Sequence, residues 1–159
     1  MKSSHRLIAT LALVVAAPFV LAAEPAPAAP ATAPAPKEKK IETDLSHRMD
    51  KMAGAFRKLR RQAADATKNE DSLAQVAILR ECGEASLKLE PYKAGEVPAA
   101  DRARLVAGYQ EKMKEFNAAV AQLEAAFKAG QNEAAAKLVQ DLSALQKAGH
   151  KEYKSKAID

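Results

Sequence analysis

The chain has 159 residues, a formal charge of +5, no Trp and a single Cys, and only 4% of it is aromatic. One cysteine excludes an internal disulfide, so a core or a bound cofactor must hold the fold. The modest charge excess is interspersed with acids, which points to a solvated surface rather than nucleic-acid binding, while the abundance of Ala, Leu, Lys, Glu and Gln predicts an all-α domain.

Residues 1–23 have the layout of a secretory signal: Lys2 and Arg6 precede an apolar run from Leu7 to Leu21, and small residues close it. That run is too short and poorly flanked for a membrane span, so cleavage after Ala22 or Ala23 and no stable membrane insertion are expected. Loss of Lys2 and Arg6 takes the charge from +5 to +3. Cys82, the only cysteine, lies too far from this site to carry a lipid. Residues 24–42 are an Ala/Pro-rich tether that cannot bury enough apolar surface to order itself. The folded domain is expected over residues 43–157, in the periplasm.

The first helix is predicted to start at a Thr43 or Asp44 cap. Leu45, Met49, Met52, Phe56, Leu59 and Ala63 then draw one apolar stripe at helical spacing. Asn69, Asp71 and Ser72 supply a turn and the cap of a second helix reaching about Leu89, with Val76, Leu79, Cys82 and Ala85 inward. Cys82 is expected to be a small buried side chain. Pro91, Gly95 and Pro98 break the chain. A third helix carries Leu105, Tyr109, Met113, Phe116, Val120, Leu123 and Phe127 and ends at Gly130. Asn132 is expected to cap a fourth helix bearing Ala135, Leu138, Leu142, Leu145 and Tyr153.

Four such helices joined by short connections predict an antiparallel up-down-up-down four-helix bundle. The start of the first helix then lies beside the end of the fourth. Met49 and His150 come to about the same depth, ~7–9 Å from that end at ~1.5 Å per residue. Taken singly, a methionine on an apolar stripe is ordinary core filling and a histidine near a helix C-terminus ordinarily complements the dipole. His150 falls at the border of its stripe and is expected to be half-buried. His47, two residues from Met49, points away from the core and is expected in solvent. Met52, one turn further along the stripe, is a rival metal-capable side chain.

The opening Asp44-Leu45-Ser46-His47-Arg48-Met49 and the close His150-Lys151-Glu152-Tyr153, with Gly130 twenty residues before the histidine, resemble the cytochrome b562 family. The likeness spans roughly residues 44–154. It implies a four-helix bundle holding one non-covalent b-type haem, with Met49 and His150 as axial ligands and Tyr109 and Met113 packed against the ring. Gln146 and Gly149 stand where related c-prime-type bundles have the two cysteines of C-x-x-C-H, so thioether attachment is excluded. The resemblance implies a one-electron carrier with an unidentified redox partner, its propionates near basic residues such as Arg48, Lys147 or Lys151. The segment joining the first two helices is longer than the family's, which bears on whether Cys82 nears the haem. A different class, a haem-free periplasmic chaperone or adaptor, also suits an Ala-rich bundle on a tether. An enzyme is not expected: no acid/base constellation, activated nucleophile or glycine-rich phosphate loop is present.

Overall fold

The computed structural model describes residues 42–158. The expected export signal and all but the last residue of the tether lie outside the described residues. Four α-helices follow one another: α1 (Asp44–Gln62), α2 (Asn69–Ser86), α3 (Ala99–Lys128) and α4 (Asn132–Tyr153). Short 3-10 turns occupy Ala66–Lys68, Tyr92–Gly95 and Lys156–Ile158. Each helix packs on the next and α4 returns to α1, closing a four-helix bundle. Among the described residues no helix is long and apolar enough to cross a membrane.

The helices run alternately up and down. At one end, the Asn132 side-chain amide at the start of α4 donates to Ala63 O, just past α1, at 3.0 Å and to Asn69 Oδ1, at the start of α2, at 2.6 Å. At the other end, the hydroxyl of Tyr109, in the first half of α3, donates to the carbonyl of Ser86, the last residue of α2. The Tyr109 ring also packs edge-on against Tyr153 of α4, centroids 5.8 Å apart.

The ends of α1 and α3 follow their local chemistry. Thr43 caps α1 through a reciprocal box: Ser46 N donates to Thr43 Oγ1 at 3.0 Å and Thr43 N to Ser46 Oγ at 2.8 Å. Gly130, at φ +67°, ends α3. There Gln131 N bonds Ala126 O and Gly130 N bonds Phe127 O, a paired closure that needs the left-handed residue.

Two boundaries differ from the sequence expectation. The second helix begins at Asn69 and stops at Ser86 instead of near Leu89. The Tyr109 bond to the Ser86 carbonyl satisfies one orphan acceptor there, and Pro91 follows closely. Asn132 is the first residue of α4 and does not cap it; Gln131 holds the cap position and makes no side-chain cap bond. Asn132 is spent on the bonds across to Ala63 and Asn69.

The core is the expected set of stripes: Met52, Phe56, Leu59, Ala63, Val76, Leu79, Cys82, Tyr109, Met113, Phe116, Val120, Leu123, Phe127, Ala135, Leu142 and Tyr153 are buried, joined by Val139. Met49, Leu45, Leu105, Leu138 and Leu145 pack against it half-covered.

Candidate functional site

Two aromatic contacts set the levels of the side chains near one end of the bundle. Phe56 of α1 meets Phe116 of α3 at 6.0 Å between ring centroids. Because α1 and α3 run the same way, Met52 and Met113 stand about one turn nearer the end, and Met49 and Tyr109 about one turn nearer again. On the oppositely directed α4, Tyr153 packs on Tyr109. His150, three residues before Tyr153, lies about 4.5 Å deeper.

These side chains line one cavity of about 340 Å³. Its walls are mostly apolar: Leu45, Met49, Met52, Ala53, Phe56, Tyr109, Met113, Phe116, Leu145 and Tyr153. Pro91 and Tyr92 of the α2–α3 loop and Ser155 of the tail close its end. The capping box also borders it, because Thr43 and Ser46 hold the first turn of α1 in place.

The four site residues picked from the sequence, Met49, His150, Tyr109 and Met113, therefore share one cavity. Their burial differs. Tyr109 and Met113 are 4% and 8% exposed, and Met49 is half-covered. His150 is exposed, where half-burial was expected. It sits in the last turn of α4 at the edge of the cavity, where fewer neighbours cover it. His47 is exposed as expected, 3.8 Å from the Glu42 carboxylate. Met52, the rival thioether, lines the same cavity but deeper, at 4% exposure.

The polar groups are few. Burial pushes the Tyr109 hydroxyl up to about 12, opposed by its bond to Ser86. Burial, with the neighbouring Glu152 carboxylate, pushes Tyr153 to about 12 as well. Both phenols are neutral donors at any ordinary pH. Two cations line the cavity, Lys112 and Lys154. Arg48, Lys147 and Lys151, the basic residues expected near the propionates, do not line it. Lys112 pairs with Glu115 at 2.7 Å, which raises its pKa. Cys82 does not reach the cavity; it lies in the α1–α2 groove, its thiol pushed up by burial.

An apolar, Met-rich cavity with one imidazole at its edge is chemically suited to a planar hydrophobic group carrying a metal that accepts soft sulfur and nitrogen donors. Haem meets that description. The donors fit: a thioether on α1, an imidazole on α4, and aromatic and thioether side chains of α3 between them.

The comparisons with known proteins agree with this geometry. The family model described as Cytochrome b562 matches residues 44–154, from the first residue of α1 to the residue after α4. No curated protein and no solved structure matches the chain.

Proposed function

We propose that this chain, which belongs to the cytochrome b562 family of haem-binding electron-transfer proteins, carries single electrons on one non-covalent b-type haem held between Met49 and His150. The observation that carries the assignment is the convergence of Met49 of α1 and His150 of α4 on one apolar cavity. When bound, haem supplies a reversible one-electron couple at iron.

The chain's own residues do the rest. Met49 Sδ and the His150 imidazole would hold the iron from α1 and α4, and a metal held by two side chains would be suited to electron transfer rather than bond chemistry. A thioether donor paired with imidazole would favour the reduced state relative to two imidazoles, and the apolar walls would act the same way by penalising the extra charge of the oxidised state. Tyr109, Met113 and Phe116 would pack against the ring and exclude water. Lys112 and Lys154, which also line the cavity, would be the cations available to the propionates. With Gln146 and Gly149 in place of cysteines, no thioether bond forms. The proposed setting is the periplasm, after removal of residues 1–23.

Absorption spectroscopy tests this. The protein loaded with haem should show a sharp, low-spin reduced spectrum that both Met49→Ala and His150→Ala abolish. Wild-type protein refolded with excess haem that shows only free-haem absorption overturns the assignment and favours the haem-free adaptor. Retention of the low-spin spectrum in Met49→Ala and its loss in Met52→Ala would move the thioether one turn deeper.

A further inference from the structure

Surface charge is distributed unevenly over the bundle. On α2, α3, α4 and the α2–α3 loop several cations stand beside carboxylates: Arg80 and Lys128 both by Glu124, Arg102 by Glu90, Arg104 by Asp101, Lys114 by Glu111, and Lys137 by Asp141. The outward face of α1 instead gathers unpaired cations on one side. Lys51, Arg57, Lys58 and Arg61 are all exposed, and none has a carboxylate within ion-pairing distance among the described residues.

At 3.6 residues per turn these four fall within about a third of the helix circumference, opposite Met52 and Leu59, and span ~15 Å along it. Arg57 and Arg61 stand at i,i+4 and Lys58 and Arg61 at i,i+3, spacings at which like charges repel. With Gln75, Ile78, Glu81 and Cys82 of α2 they line a groove of about 590 Å³. It holds four cations against one carboxylate, Glu81. A helix selected for solubility alone gains nothing from concentrating unpaired charge in this way.

We propose that the α1–α2 groove docks an acidic segment of a partner protein, whose carboxylates pair with Lys51, Arg57, Lys58 and Arg61. The shape and composition favour a polypeptide over a membrane. The site is a furrow between two helices. Tyr92, the only large hydrophobic residue exposed among those described, lines the haem-end cavity and does not border this groove, and the groove's own Ile78 is half-buried, so no exposed large apolar side chain is offered to an acyl layer. Lys51 lies two residues beyond Met49, so a segment seated here begins beside the cavity end, as the partner of an electron carrier should. The docking itself does not depend on haem.

Fluorescence anisotropy with a labelled glutamate-rich peptide tests it, on haem-free and haem-loaded protein alike. Wild-type protein should bind at low ionic strength and release the peptide steeply as salt rises. The quadruple variant K51Q/R57Q/K58Q/R61Q should lose at least about tenfold in affinity, whereas R104Q/K114Q/K128Q/K137Q, with the same change in net charge, should stay within about twofold. Circular dichroism should show the α1 variant folded and melting no lower than wild type, because it relieves repulsion. Equal losses in the two variants would reduce the effect to net charge and overturn the proposal. So would wild-type protein that ignores the peptide, or that binds only phosphatidylglycerol vesicles. Because haem-free protein gives the same readout, failure here leaves the haem assignment standing.

Discussion

At Gly108 a hydrogen stands where an added methyl group would meet the Tyr153 hydroxyl at 2.8 Å. Tyr153 lines the cavity and its ring is braced by Tyr109, so it can yield only by moving along the cavity wall. Gly within a helix costs about 1 kcal/mol relative to Ala, a penalty that is tolerated here because it sets the position of a wall residue. Gly108→Ala is therefore expected to leave stability within ~1 kcal/mol, propensity gain and displacement offsetting each other. Haem affinity should nevertheless fall severalfold. Parallel denaturant melts and haem titrations separate the two effects, and unchanged affinity would show that Tyr153 is not positioned by this contact.

At the scale of the helices, the two ends of the bundle have separate duties. The end away from the cavity is fastened by Asn132, whose amide joins α4 to α1 and α2 in one cluster of hydrogen bonds. Asn132→Ala strips the buried donor from the Ala63 carbonyl and the partner from Asn69. A loss of about 1–3 kcal/mol is expected from leaving such groups unpaired. The absorption spectrum of the loaded protein should not change, because the cavity lies at the opposite end. A denaturant midpoint unmoved by Asn132→Ala would mean water replaces the amide without cost. At the cavity end, the Lys93 amine bonds the Glu152 carbonyl and Ser155 bonds the Glu96 carboxylate, tying the loop that carries Pro91 and Tyr92 to the tail after α4.

For the molecule as a whole, cofactor binding and folding are one equilibrium. The cavity walls belong to α1, α3, α4 and the α2–α3 loop, so a ligand in it binds the folded bundle and not the unfolded chain. Free haem at a hundred times its dissociation constant should stabilise the fold by about 2.7 kcal/mol, raising the melting temperature by roughly 10 °C for a domain of this size. Differential scanning calorimetry with and without haem measures this directly. The His150→Ala variant should show a much smaller rise, and an equal rise would mean that haem associates with the bundle without the imidazole.

The four helices were legible in the sequence because their evidence is local: 3-and-4 spacing of apolar residues, a capping Thr43, a terminating Gly130. That Met49 and His150 reach one cavity was legible too, since antiparallel topology follows from four helices and short connections. Matters that depend on how a helix is rotated about its own axis were not. Asn132 has the residue type of a cap, and only the approach of α1 and α2 turns it into a clamp between helices. The cations at the cavity are Lys112 and Lys154, not Arg48, Lys147 and Lys151, because the rotation of α3 and α4 decides which lysine meets the opening. The basic residues of α1 could be counted from the sequence. That they remain unpaired is a property of the fold, since Glu81 of α2 is the one carboxylate that borders their groove and it makes no ion pair with them.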